Sequence, residues 1–550
     1  MRIPGKYLAA GLLLSFTACK NNPSSTAENT SGFNADSIVA DIKVLSSDSF
    51  QGRKPFTEGE VKTTNFLEQR FKAIGLEPGN GNSYLQDVPM VNITTKAAPE
   101  MQVQSAKGNF ALKAFDDYAI WTNKTDSLIT LDKSELVFAG YGVVAPEYNW
   151  NDYAGIDVKG KVVLVLVNDP GFAANDSTLF KGKTMTYYGR WTYKFEEAAR
   201  QGAKGCLIIH NTVAASYPFS VVQNNHNTSR LRLDNRGKPE QLCDVTGWVT
   251  GETANKLLAA AGKDSTVLAG ADKRGFKSMS LGLKLSTSMQ VKAEYNKSHN
   301  VIAKITGSKH PDEYIIYTAH WDHLGVDRPD KKGDSIYNGA LDNASGTAGL
   351  LALAKAFKQS ATQPERTIIF LAVTAEEQGL WGSAWYAENP VYPLNKTLAN
   401  INMDVLNNYG KTKDVIVVGE GQSELEDILK EEASKTGRVI AYETHPEAGH
   451  YYRSDHFNFA KVGVPALFAN SGVDVIGKGS DYGKQMEDAY NDNNYHQPSD
   501  EYNSSWNMEG AVDDLNLLLN VGKKLDVAGT FPQWKQGSEF KTIREKSLGK

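Results

Sequence analysis

From His299 onward the chain alternates short apolar, β-branched runs with amphipathic segments, and this pattern restricts its fold more than any other feature. Strands are read over 314–319, 366–374, 398–405, 414–419 and 464–469, and helices over 345–358 and 423–436. Such alternation predicts an α/β fold, a mostly parallel central sheet with helices on both faces. In an open sheet of that kind, ligand sites gather outside the carboxyl ends of the strands.

The rest of the chain reads differently. At 550 residues it exceeds what one core usually organises, so two or three domains are expected. Residues 33–105 begin with two helical patterns, "SIVADIKVL" and "VKTTNFLEQRFKAIGL", the second stopping at Gly75. Residues 106–290 shift to short strands and turns, with one good helix in "TYKFEEAARQGA", and residues 291–550 carry the alternating pattern. At the start, "MRIPGK" is cationic, "YLAAGLLLSF" is apolar but too short to span a bilayer, and "TAC" sets small residues before Cys19. Residues 1–19 thus read as an export signal that resembles the bacterial lipoprotein type, with Cys19 lipidated; an ordinary signal peptide is the alternative. The polar run 20–32 reads as a flexible tether.

Charge excludes some partners. With 59 basic against 64 acidic side chains, the net charge of -5 implies neither a nucleic-acid surface nor a polybasic membrane surface. Membrane contact is expected only through the N-terminal lipid. Cys206 and Cys243 are the only other cysteines, which rules out a thiolate metal site and leaves one disulfide or two buried thiols.

On this frame five segments deliver histidine and carboxylate groups to one rim. The run "EYIIYTAH" ends in "HWDHLG", so His320 and Asp322 emerge at its carboxyl end, and Asp342 lies in "YNGALDNASG" just before a helix. Glu376 and Glu377 follow "IIFLAVTA", Asp404 ends "LANINMD", and His496 sits in "NNYHQPSDEY". Taken singly, each has an ordinary explanation: a rim hydrogen bond, a helix cap, a solvated turn. Taken together, three or more carboxylates at the strand ends repel one another unless a cation compensates them. Imidazole and carboxylate without thiolate suit catalytic zinc, and two histidines with three carboxylates, one bridging, suffice for a metal pair. Of the adjacent glutamates, one can then bind metal while its neighbour acts as base, because neighbouring side chains at a strand end diverge.

"AHWDHLG", "GALDNASGTA", "AEEQGLWGS", "NINMD" and "YHQPSDEY", in this order, resemble the motifs of the co-catalytic zinc exopeptidases, which include leucyl aminopeptidase, aminopeptidase Y and glutamate carboxypeptidase. The resemblance implies the zinc exopeptidase fold and two Zn2+ per chain, one held by His320, Asp342 and Asp404 and the other by Asp342, Glu377 and His496. It makes Glu376 the general base and Asp322 the carboxylate that orients His320, and it implies a cis peptide between Asp342 and Asn343. "FAGYGV", "DVKGKVVLV" and "KFEEAARQGAKGCLIIHN" resemble a protease-associated domain, so the 106–290 insert is expected to be one.

The function implied is an exported aminopeptidase that hydrolyses the N-terminal bond of peptides through a metal-bridging water, with peptides bearing a free N-terminus as its partners. The lipid would anchor it to a bacterial membrane, facing the periplasm or the cell surface. Alternatives are a dipeptidase, carboxypeptidase or glutaminyl cyclase of the same fold, and a non-catalytic binding protein. The segment "GHYYRSDHFNFAKVGVPALF" is similar to a family stretch near the site, which makes Tyr451, Tyr452 and Arg453 candidate substrate contacts. A tyrosine hydroxyl there could donate to a developing oxyanion, or both rings could simply pack. The loop "GVDRPDKKGDSIYNG" is read as solvated.

Overall fold

The structure is a computed structural model that describes residues 32–174, 176–237 and 241–549. The export signal, Cys19 and nearly all of the tether lie outside the described residues. Among the described residues no helix is long and apolar enough to cross a membrane.

The sheet of the larger domain uses β1 (Leu85–Ala97), β2 (Met279–Ile305), β3 (His310–His320) and β4 (Arg366–Val373). It continues with β5 (Thr397–Asn402), β6 (Asp414–Val417), β7 (Val439–Tyr442) and β8 (Ala466–Ser471). The spatial order is β1-β2-β4-β3-β5-β8-β6-β7. β4, β3, β5 and β8 run parallel, β2 and β6 join this block antiparallel, and β7 runs parallel to β6. The sheet is therefore mixed, with a parallel centre.

Strand periodicity explains why both faces are covered. In β3, Ile315, Tyr317 and Ala319 point into one core while Tyr314 and Ile316 point into another, and β4 divides in the same way between Ile368, Phe370, Ala372 and Ile369, Leu371, Val373. Among the described residues five helices cover the first face: α1 (Ala35–Leu45), α2 (Glu58–Ile74), α3 (Gly346–Lys358) and, in the C-terminal part, Leu425–Lys435 and Glu509–Asp526. Ile38, Ile42 and Leu45 of α1 meet this core at helical spacing. Asn34 caps α1 by accepting from the Ser37 amide, and Gly75 ends α2 in the left-handed conformation at φ 85°. On the second face α4 (Trp381–Glu388) contributes Tyr386, beside Phe457, Phe459, Trp534 and Phe540.

Between β1 and β2 the chain builds a second, β-rich domain with its own buried core. Its strands Leu128–Phe138, Val162–Leu166, Gly205–Ile209 and Val245–Val249 run parallel in that order, and helix Trp191–Arg200 packs on Gly205–Ile209. The single strand β2 belongs to both domains, pairing with Leu128–Phe138 at its start and with β4 at its end. The insert's core begins before residue 106, because strand Glu100–Gln104 pairs with β2 and buries Met101 and Val103 there. Cys206 and Cys243 are both buried as free thiols.

Candidate metal centre

Because β3, β4 and β5 are parallel neighbours, their carboxyl ends share one rim, and the chain places His320, Glu376, Glu377 and Asp404 there. Asp342 reaches the same point from the loop before α3. His496 arrives from the segment after helix Ser480–Asn493, its backbone at φ 56°.

The Asp342 carboxylate lies between the two imidazoles. Its Oδ1 is 3.3 Å from Nε2 of His320, and its Oδ2 is 3.3 Å from Nε2 of His496. Asp404 Oδ1 is 3.2 Å from His320 Nε2, and Glu377 Oε2 is 3.0 Å from His496 Nε2. Glu376 stands slightly back, with Oε2 3.9 Å from His320 Nε2. All five expected ligands therefore converge, in two groups that share Asp342.

The surrounding backbone holds this arrangement through buried polar contacts. Asp500 accepts the amides of Leu341 and Asp342 at 2.9 and 3.0 Å. The peptide between Asp342 and Asn343 is cis. Asn343 then donates to the Met403 carbonyl and accepts from the Val405 amide, tying the Asp342 loop to the Asp404 loop. Ser454 donates to Asp404 Oδ2 at 2.7 Å and itself accepts from Asn402 at 2.8 Å. Arg53 is fully buried and donates to the carbonyls of Leu45, Trp321, Asn338 and Gly339, which clamps the loops after β3 and before Asp342.

Asp322 works differently from its expected role. Its carboxylate lies 3.8 Å from His320 Nδ1, and the contact to that nitrogen at 3.2 Å comes from its own backbone carbonyl. The carboxylate instead accepts the Glu376 amide at 3.0 Å, so Asp322 positions the Glu376 backbone.

Electrostatics separate the acids. Burial pushes the Glu376 carboxyl well above the ordinary range, with the Asp404 and Glu377 charges adding to it against the pull of His320. Glu377 and Asp342 are equally buried, but their histidine partners outweigh burial, drawing Glu377 down to about 2 and Asp342 well below the usual range. Asp322 is raised by burial to about 8. Burial opposes protonation of His320 and His496, and the carboxylates around each still hold both well above an ordinary imidazole.

This donor set fits two divalent cations. Each Nε2 has one Asp342 oxygen and one further carboxylate oxygen beside it, no thiolate takes part, and several carboxylates share a buried space that a pair of dications would neutralise.

Two residues near the cluster escaped the sequence reading. His323 is buried and places Nδ1 2.5 Å from Glu377 Oε1, so it fixes the oxygen of Glu377 that faces away from His496. The only signal for it was the second histidine of "HWDHLG". Tyr495, exposed, stacks on His496 with centroids 3.9 Å apart.

Tyr451 and Tyr452, by contrast, are not brought to the cluster. The short turn His450–Tyr452 packs both rings inward with Phe457 and Phe540, and the Tyr452 hydroxyl donates to Glu539 at 2.8 Å. Arg453 does face the site. It lines a cavity of about 690 Å³ shared by Glu377 and His496 with Trp121, Arg190 and Trp248 of the insert.

Residues 300–519 match the model of peptidase family M28. The glutamate carboxypeptidase 2 homolog of Caenorhabditis elegans is 33% identical over 212 residues, covering 36% of this chain and 24% of that protein. The aminopeptidase NAALADL1 of Mus musculus is 31% identical over 201 residues, covering 34% of this chain and 25% of that protein. The chain thus spans about a quarter of the length of these curated relatives. Among solved structures, an aminopeptidase from Aneurinibacillus sp. strain AM-1 aligns at 20% identity and a TM-score of 0.49, over 89% of this chain and 93% of that one. The matched region contains every residue of the carboxylate and imidazole cluster.

Proposed function

We propose that the protein is an exported, zinc-dependent aminopeptidase that removes N-terminal residues from peptides. The observation that carries this reading is Asp342, whose two oxygens face different histidines, with Glu376 beside His320 at 3.9 Å, farther than Asp342 and Asp404. His320, Asp342 and Asp404 would hold one zinc, and Asp342, Glu377 and His496 the other. The ions supply Lewis acidity toward water and the scissile carbonyl when bound.

The chain's own residues do the rest. Glu376 takes a proton from the attacking water and returns it to the leaving amine. Asp322 keeps Glu376 in place through its backbone amide. Tyr495, beside His496, donates to the carbonyl oxygen as that atom gains charge. The insert supplies the opposite wall of the cavity and restricts its entrance, the role we assign to it as a protease-associated domain. Export as a lipoprotein anchored through Cys19 belongs to the same reading.

The test is hydrolysis of free and N-acetylated peptides by purified protein, with metal measured on the same sample. Two zinc ions per chain and cleavage abolished by acetylation are expected. Cleavage indifferent to acetylation would replace the aminopeptidase by a carboxypeptidase or endopeptidase, and a metal-free, inert protein would leave a binding module. Loss of lipid labelling in Cys19→Ser checks the anchor.

A further inference from the structure

Each of the three ligand carboxylates divides its two oxygens. Asp342 gives Oδ1 to His320 and Oδ2 to His496. Asp404 turns Oδ1 toward His320 Nε2, while its Oδ2 accepts the Ser454 hydroxyl at 2.7 Å. Glu377 turns Oε2 toward His496 Nε2, while its Oε1 meets His323 Nδ1 at 2.5 Å. An ionised carboxylate can only accept, so Nδ1 of His323 is the donor there. Toward the ligand histidines, Asp404 and Glu377 therefore each present one oxygen, and the other is already engaged.

The two donors are themselves held. His323 is fully buried and its Nε2 has no hydrogen-bond partner, so Glu377 is the one group that its ring nitrogens hold among the described residues. The ring lies against the backbone of Gly339, where an added Cβ would come within 2.6 Å of Cγ and Cδ2. Gly339 stands at φ 56° and its carbonyl accepts from Arg53 at 2.8 Å, which fixes the surface behind the ring. Ser454 is also buried, and its oxygen accepts from Asn402 at 2.8 Å, which leaves the hydroxyl proton for Asp404.

The number of oxygens that a carboxylate offers bears on which ion it selects. Catalytic zinc suits three protein donors and one open position, with each carboxylate counted once. Manganese and other hard ions prefer six donors rich in oxygen, and they gain from a carboxylate that gives both of its oxygens.

We infer that His323 and Ser454 are positioning residues that restrict Glu377 and Asp404 to one oxygen each toward the metals, and so tune the centre for zinc against six-coordinate ions such as manganese. This rests on the two-metal peptidase reading and names what selects its metal. His323 acts on the ion held with His496, and Ser454 on the ion held with His320.

The test is equilibrium dialysis of the metal-stripped protein against Zn2+ and, separately, Mn2+, for wild type, His323→Leu, His323→Asn and Ser454→Ala. Loss of the donor in His323→Leu or Ser454→Ala should weaken one of the two zinc sites by about 10- to 100-fold, while manganese binding holds or improves. His323→Asn returns an N–H donor close to the place of Nδ1 and should restore most of the zinc affinity. Cobalt loading supplies a readout that a merely structural loss would not move. Visible absorption, intense for four-coordinate Co2+ and weak for six-coordinate Co2+, should fall in His323→Leu and Ser454→Ala and return in His323→Asn. Because leucine beside Gly339 can impair folding, nitrogen-15 NMR of histidine-labelled, zinc-loaded wild type is read alongside, and a proton on Nδ1 of His323 is expected. Zinc affinity and cobalt absorption unchanged in both donor-free variants overturn the inference, and no change in one of them strikes that residue from the role. A metal-bound Nδ1 would make His323 a ligand and overturn its part as well. A wild type that holds two zinc ions yet cleaves no peptide overturns the peptidase reading and leaves the result on His323 and Ser454 standing.

Discussion

Glu376 and Glu377 are adjacent in the chain yet face different partners: Glu377 Oε2 lies 3.0 Å from Nε2 of His496, whereas Glu376 Oε2 lies 3.9 Å from Nε2 of His320. The turn after β4, with Ala375 at φ 53°, directs the two side chains apart. Both carboxyls are buried, so their neighbours decide their character, and Glu376 is pushed up while Glu377 is drawn down. One is suited to exchange a proton and the other to remain an anion.

Glu376→Gln should therefore keep both metals and lose turnover by about 10²- to 10⁴-fold, the usual share of general acid–base catalysis. Metal analysis and kcat on one preparation check this. Full activity would remove Glu376 from the role of base.

The shared position of Asp342 predicts an asymmetry among ligand variants. His496→Ala should lower metal content from two ions per chain toward one, because only one group loses a donor. Asp342→Asn weakens both groups and should lower it below one. Equal stoichiometry in the two variants would rule out the bridge.

Arg53 joins the N-terminal helical segment to the loops that carry His320 and Asp342. Arg53→Met would leave four buried carbonyls without their donor, at a cost of about 3 kcal/mol or more. Thermal unfolding should show a clear drop in Tm, and equilibrium dialysis should show weaker zinc retention in the protein that remains folded. An unchanged Tm would show that water replaces the guanidinium freely.

His456 gives the fold an acid sensitivity independent of the metals. Burial, against a weak pull from the Tyr451 backbone, lowers its pKa to about 3. Between that value and the ordinary value near 6.5, the unfolded chain binds a proton that the native protein does not. Its contribution to stability is therefore complete above pH 6.5 and declines as pH falls toward 3, by about 2 kcal/mol at pH 5. The ring packs against Tyr451 and Phe468 with centroids 4.7 and 4.9 Å away, so His456→Phe should fit and flatten that dependence. Denaturant unfolding at pH 7.5 and pH 5 measures it; an unchanged slope in the variant would exclude His456 as the source.

Much of this molecule was legible in the chain. The near-continuous apolar runs of "EYIIYT" and "RTIIFLAV" require strands buried on both faces, and β3 and β4 divide their side chains between two cores accordingly. The amphipathic run before Gly75 forms α2 and stops there, since glycine takes the left-handed cap without strain. The strand of 27 residues that serves both domains was not legible, because "SLGLKLSTSMQVKAEYNKSHNVIAKI" changes pairing partner along its length with no break in composition. Tyr451 and Tyr452 show the converse limit. A tyrosine next to a conspicuous charged motif reads the same whether its hydroxyl faces a substrate or Glu539.

The amino-acid sequence by itself determined which donors reach the rim, because residues that follow parallel strands must emerge at one edge, and it determined the hard, thiol-free chemistry they offer. Tertiary structure alone decided how those donors are shared. The division of Asp342 between two histidines and the grip of His323 on Glu377 both depend on ångström-scale distances. Such distances between residues far apart in the chain are set by how the cores pack, and no local pattern encodes them.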